Sequence, residues 1–382
     1  YEHYQSTLRK LGGSTLFMPT EFLHGLYDGG HGAGLNDYWN ATLASPMGAG
    51  GFLWALVDEG VVRTDRDGAI DVAGNQAPDG IVGPYRQKEG SFYTIKEIFS
   101  PIRIAMAELP IDFDGRLEVE NGYDFTNLRD CRFEVQLVEF PGPDDEASGR
   151  EVFFRRVFAG PDVIAHGNGW LDLELPGNWA QADGLYLTVF DPDGDEVWTW
   201  SWAVREMGHY IDKYIAMEAE EAPRVEIRGA TSEIHVQAGP LVLAFTGNSG
   251  ELASVTLGGE PVAFSGPALI GGAAEPAKVS FSQSGGGVVL QVTYTGDMDS
   301  VRWHVYPTGW VRLDYEYQLE GPLSAFGIGF EYPEERMQGV RWLGRGPYRV
   351  WKNRMKGGVL DVYRNANKEH TPGLTWDFPE FK

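Results

Sequence analysis

Two side chains near the start of the chain are of types that do chemistry: Glu21 and, three residues on, His24. A carboxylate can serve as nucleophile, and a neutral imidazole can hydrogen-bond a ligand hydroxyl. The surrounding run, MPTEFLHGLYDGGHGAGLNDYW from Met18 to Trp39, adds Tyr27 and Asp28 directly before a glycine-rich turn. Trp54 falls near the end of a second apolar run, with Asp58 and Glu59 just beyond it. These residues also have a plain structural reading. Glu21 then caps or pairs with a neighbour, His24 satisfies a loop backbone and Trp54 packs in a core. Residue types alone leave both readings open.

The elements that must position them can be read from local patterns. Ser14–Met18 (STLFM) is a short apolar run that predicts a buried strand, ended by Pro19, which has no N–H to donate. Leu35, Tyr38, Trp39, Thr42 and Leu43 fall at helical spacing and predict a helix from about Leu35 to Ala44. Gly51–Val57 predicts a second strand. Tyr4, Leu8 and Leu11 share one face of a helix stopped by Gly12 and Gly13, and Phe92, Ile95, Lys96 and Phe99 predict another, ended by Pro101. Glu21 is thus expected on a loop after a buried strand and before a helix, where α/β barrels carry catalytic groups.

The run Glu21-Phe-Leu-His24, with its glycine-rich turn and Asp37-Tyr38-Trp39, resembles the nucleophile segment of glycoside hydrolase family 2, the family of the lac-type β-galactosidases. Gly50–Gly60 (GGFLWALVDEG) resembles that family's final barrel strand, and Trp342–Pro347 (WLGRGP) a motif of its C-terminal sandwich. The resemblance implies that Glu21 is the nucleophile of a retaining exo-glycosidase, that His24 contacts the sugar and that Trp54 floors the pocket. It also implies that the chain begins inside the barrel. The acid/base carboxylate, normally in an Asn-Glu dipeptide that occurs nowhere in this chain, would lie before Tyr1. Tyr27-Asp28 replaces a small-residue run of the lac-type enzymes and would reshape the sugar subsites. Asp71–Arg86 matches a sodium-binding loop, but Gln76 and Asp79 stand in place of the usual ligands; the magnesium ligands would lie upstream, so no metal and no cofactor is assigned.

From about Arg103 the texture changes to short alternating runs separated by Gly, Pro, Asn and Asp: Arg116–Val119, Cys131–Val138, Val152–Val157, Trp170–Leu175, Leu185–Asp191 and Glu196–Val204. That spacing predicts an antiparallel sandwich, with Trp198, Trp200 and Trp202 on one face as core. Asp191–Glu196 (DPDGDE) lacks EF-hand spacing and predicts a turn, and Pro141–Ser148 a solvated hairpin tip. Glu206–Pro223 is a charged linker. Beyond it Val225–Ile227, Ile234–Ala238, Leu241–Thr246, Val288–Tyr294, Trp303–Pro307 and Val311–Leu319 are strand-like, with Gly266–Gly287 expected as loop.

The 12 Trp, 17 Tyr and 20 Phe suit β-sandwiches and surfaces on which sugar rings stack. A net charge of −24 argues against nucleic acid and anionic membranes as partners. The single cysteine, Cys131, excludes an intrachain disulfide, and no apolar run is long enough to span a bilayer. The expected architecture is α/β followed by all-β: the last two strands and helices of a (β/α)8 TIM barrel (1–102), an immunoglobulin-like β-sandwich (103–207), a linker (208–224) and a truncated β-supersandwich (225–382). The expected partners are a carbohydrate substrate and the preceding part of the same polypeptide, with a homo-oligomer left open. The compartment leans to the periplasm or outside of a bacterium. The expected activity is hydrolysis of terminal β-galactosides. A β-glucuronidase, β-mannosidase or modified-galactan enzyme, or a non-catalytic carbohydrate-binding fragment, stands as the alternative.

Overall fold

The computed structural model describes residues 2–11, 13, 15–24, 30–72, 79–206, 208–210, 224–230, 232–347 and 355–367. They fall into two compact units, residues 1–205 together with 339–382, and residues 206–338. The stretch expected as one domain from 225 to 382 is therefore divided between units.

The first unit opens with α1 (Glu2–Lys10), whose buried Tyr4 and Leu8 lie one turn apart. Tyr4 packs edge-on against Phe17 and Tyr38, and its hydroxyl shares a 2.6 Å hydrogen bond with Thr42 Oγ1. β1 (Phe22–His24) pairs in parallel with β2 (Leu53–Trp54), and α2 (Gly30–Leu43) supplies the crossover that parallel pairing requires. Parallel pairing extends beyond these strands, with Phe17 bridging Gly48 and Val57 bridging Val82. On α3 (Gly90–Ile98), Ile95 and Ile98 pack with Leu35 of α2.

Three details depart from expectation. The strand expected over Ser14–Met18 is reduced to the Phe17 bridge, and regular pairing starts only at Phe22. Pro19 does not end the ladder: its carbonyl accepts from Phe52 N–H at 3.0 Å, and Phe22 N–H then donates to the Phe52 carbonyl. Proline removes a donor but keeps its acceptor, so it can sit where only the carbonyl faces the neighbour. The helix begins at Gly30 rather than Leu35, taking in part of the glycine-rich turn. Among the described residues these parallel segments do not close into a barrel.

The sandwich follows the alternating pattern closely. Ile102–Arg103, Arg116–Asn121 and Asn168–Asp172 form a three-stranded sheet, and Glu196–Ala203, Gly184–Phe190, Arg132–Glu139 and Glu151–Ala159 a four-stranded one. Leu117, Val119 and Leu171 from the first meet Phe133, Val135, Leu185 and Leu187 from the second. Trp198, Trp200 and Trp202 join this core, and Trp202 Nε1 donates to the Met106 carbonyl at 2.9 Å. Asn121 is wholly buried yet satisfied: Nδ2 donates to the carbonyls of Thr126 and Val163, and Oδ1 accepts from Tyr123 N–H. The Asp191–Glu196 segment is a hairpin turn whose Asp191 carboxylate accepts from the N–H groups of Asp193 and Asp195.

The antiparallel hairpin Gly339–Gly346/Val359–Ala366, which carries the WLGRGP motif, belongs to this first unit. Leu360 N–H donates to Ser201 Oγ at 2.8 Å, Gly149 N–H to the Val362 carbonyl at 2.7 Å, and Tyr186 hydroxyl to the Leu360 carbonyl. Arg150 pairs with Asp361, and Arg341 donates to the carbonyls of Gly142, Asp145 and Ala147. The 141–148 loop is therefore gripped by an arginine rather than merely solvated.

The second unit is antiparallel throughout: a five-stranded sheet over 226–262, a four-stranded sheet over 274–317, and the pair Ser265–Ile270 with Gly327–Glu331. Val236, Phe245, Leu290, Val301 and Trp303 centre its core. The expected loop Gly266–Gly287 is instead largely strand, Ser265–Ile270 and Ala274–Ser284. Its glycines serve strand ends: Gly271 has φ +84°, and a Cβ there would meet the Ala325 carbonyl oxygen at 2.4 Å. The longer strand lies at a sheet edge and is paired along its whole length on one side, so ladder bonds override its weak β-propensity.

Candidate active site

β1 and β2 set the geometry. Phe22 lies opposite Leu53 and His24 opposite Trp54, with an irregularity between Phe22 and His24. In an extended strand residues three apart face opposite ways. Here Leu23 adopts φ 55°, a left-handed conformation unusual for a branched side chain. That turn brings His24 Nε2 within 2.9 Å of Glu21 Oε1. An ionised carboxylate can only accept, so Nε2 carries the hydrogen. Left-handed backbone at a non-glycine residue costs about 1–3 kcal/mol and persists where its surroundings hold it.

Trp54 stands beside this pair, its indole 6.4 Å from the His24 ring and tilted by 36°. Gly51 keeps the approach to β2 tight, since a Cβ there would meet the Phe22 ring at 2.8 Å. On the far edge of the imidazole, Nδ1 lies 3.5 Å from Asp79 Oδ1, and that oxygen makes no hydrogen bond among the described residues. Glu21 and His24 are open, at 52% and 36% side-chain exposure, while Asp79 is at 17%. The carboxylate is thus accessible to a ligand, with the His24 ring hydrogen-bonded to one of its oxygens.

Behind Asp79 sits a second acidic pair. Asp58 accepts from Gly80 N–H at 2.6 Å and shares a hydrogen bond with buried Glu89. A bond between two carboxyl groups needs a proton on one of them. Burial pushes the Asp58 carboxyl above its usual range, the hydrogen bonds from Gly80 and with Glu89 pull it back, and the charge of Asp79 adds a smaller upward push.

The described residues thus bring together Glu21, His24 and Trp54. Tyr27, Asp28 and Gln76 lie outside the described residues. The roles of Asp79 and Glu89 were missed; the only signal was Asp79's place in a loop noted for its altered metal ligands. Sodium and magnesium take cages of oxygen ligands. Among the described residues no group of three or more His, Cys, Asp or Glu side chains is arranged to hold a metal ion.

No family model matches the chain. A β-galactosidase of Actinobacillus pleuropneumoniae is 30% identical over 131 residues, covering 32% of this chain and 12% of that protein. The chain therefore spans only a small part of the curated relative it matches. An Amycolatopsis orientalis exo-chitosanase in complex with PNP-β-D-glucosamine is similar at 10% identity over 75% of this chain and 34% of that one. Its TM-score of 0.23 is too low for anything about this chain to follow. The similarity to the β-galactosidase is thus confined to part of this chain and a smaller part of that protein.

Proposed function

We propose that this chain is part of a retaining exo-glycosidase of glycoside hydrolase family 2 that removes terminal β-galactosides, with Glu21 as nucleophile. The observation that carries the reading is the accessible Glu21 carboxylate, hydrogen-bonded through Oε1 to His24 and flanked by Trp54, on a strand–helix–strand unit. The galactoside follows from the activity named for the curated relative.

In this mechanism Glu21 attacks the anomeric carbon as the glycosidic C–O bond breaks, and the leaving oxygen departs with a proton from a second carboxyl group. A glycosyl ester of Glu21 forms. Water then attacks the same carbon, giving its proton to the second carboxylate, and Glu21 leaves as carboxylate. His24 occupies Oε1 and so orients Oε2 for attack. Trp54 offers a flat apolar surface to the C–H face of the sugar.

The parallel segments are read as the closing part of a (β/α)8 barrel, with the second carboxyl group supplied by polypeptide preceding them. The alternate residues Phe52, Trp54 and Leu56 support this, being exposed on one face as barrel-interior positions would be before their neighbours are added. The three-plus-four sheet order of the sandwich supports an immunoglobulin-like domain. The test is Glu21→Gln in the intact enzyme, assayed on nitrophenyl β-galactoside. Loss of a covalent nucleophile is expected to cost several orders of magnitude in turnover, recoverable by azide with inverted product. Near-normal turnover would overturn the assignment.

A further inference from the structure

A cavity of about 490 Å³ lies within the first unit where α2 and α3 meet the three-stranded sheet. It shares no lining residue with the Glu21 group. Its size falls in the range of small-molecule sites. Two of its charged pairs are internally matched: Lys356 Nζ lies 2.9 Å from Glu97, which also accepts from Gly357 N–H, and Arg103 lies 2.6 Å from Glu120.

What remains is polar and uncommitted. The side chains of Asn36, Asn40, Asn168 and Glu118 line the cavity and have no hydrogen-bond or ion-pair partner among the described residues. Each amide offers two donor hydrogens and an acceptor oxygen, and a carboxylate accepts only. Hydroxyl groups, which both donate and accept, complement that set. Trp39 adds indole surface to the lining, suited to the apolar C–H face of a pyranose, while Trp200 closes the cavity from the sandwich core. Both lining cations are already paired while Glu118 is not, which disfavours phosphate, sulfated sugars and uronic acids.

We propose that this cavity is a second, non-catalytic saccharide site that takes a neutral hexose unit. Asn36 and Asn40 grip hydroxyls from the helix side and Asn168 and Glu118 from the sheet side. Such a site would hold a neighbouring part of a polymeric substrate, or a separate chain, while the Glu21 group works on an end.

The test titrates a thio-linked β-1,4-galactobiose, whose linkage resists hydrolysis, calorimetrically against the intact protein, against Trp54→Ala and against Asn40→Ala/Glu118→Ala. Binding that survives Trp54→Ala and weakens at least tenfold in the double variant, with its melting temperature kept, is the expected result. Unchanged affinity in the double variant, or loss of all binding in Trp54→Ala, overturns the proposal. If the double variant does not fold, hydrogen exchange on the unmutated protein decides instead. Galactobiose is then expected to protect residues 97–105 and 118–120, and absence of protection counts against the site. The catalytic reading fails on a different result, since turnover unaffected by Glu21→Gln leaves these titrations untouched.

Discussion

Two runs of the chain share one alternation and dispose of it in opposite ways. In the sandwich, Trp198, Trp200 and Trp202 are at most 9% exposed, packed against the facing sheet. In the parallel segments ahead of it, Phe52, Trp54 and Leu56 are 57%, 45% and 68% exposed. Alternation tells which face a side chain joins, and says nothing about whether a second layer covers that face. The sandwich supplies its own second layer. The parallel unit leaves the Glu21 carboxylate and the Trp54 indole exposed.

The carboxylates differ in the same sense. Glu134 in the sandwich is nearly buried, and burial alone would raise its carboxyl. Hydrogen bonds from Arg155 and Gln136 and the charges of Arg155 and Arg132 outweigh that and leave it below the ordinary range. Asp58 is moved the other way. Matched partners pull one carboxyl down, and burial pushes the other up.

The largest expected effect is all or none. If the open face must be completed by further polypeptide, purified residues 1–382 turn over nitrophenyl β-galactoside no faster than background. Turnover abolished by Glu21→Gln would show that this chain builds a whole site. Next come paired truncations that weigh the two regions directly. Leu187→Ala, at a fully buried sandwich position, is expected to cost about 2–5 kcal/mol in denaturant unfolding. Leu56→Ala is expected to stay within about 0.5 kcal/mol, the range of surface changes. A comparable loss at both positions would erase the distinction.

Asn121→Ala leaves two carbonyls and one N–H of the sandwich without their amide partner. About 1–3 kcal/mol is expected from thermal or urea unfolding. The smallest effects are pH slopes of opposite sign. Glu134, with its folded value depressed, stabilises above the unfolded carboxyl value, and that contribution is lost as pH falls through the folded value. Asp58, with its folded value raised, contributes fully below the unfolded value and loses that contribution as pH rises through the folded one. Unfolding followed from pH 3 to 7 should therefore flatten on the acid side in Glu134→Gln and lose a decline with rising pH in Asp58→Asn. Superimposable profiles would remove the electrostatic contrast.

Much of this was legible in the sequence. The strand limits of the sandwich and the burial of its three alternating tryptophans follow from period-two patterning, because both layers are local to one stretch of chain. Helical spacing located α2 and α3 for the same reason. Gly266–Gly287 misled, since glycine marks turns by composition while ladder pairing with 287–296 decides the strand. The meeting of Glu21 with His24 depends on one left-handed leucine, and nothing in Glu-Phe-Leu-His announces it. The place of WLGRGP was hidden too, because its hairpin mate is held at Leu360 and Asp361 by Arg150, Tyr186 and Ser201, well over a hundred residues upstream.

That last hairpin changes what the second unit is. Because residues 339–366 rejoin the unit formed by residues 1–205, residues 206–338 are an excursion of the chain that leaves and returns. The entropy of closing such an excursion grows only logarithmically with its length. Its content could therefore be exchanged for another domain, or for a short linker, at little cost to the closure itself. A protease cut inside it would not release the returning hairpin. Both products would remain joined through Arg150 and Asp361, Ser201 and Leu360, and the grip of Arg341 on the loop at Gly142.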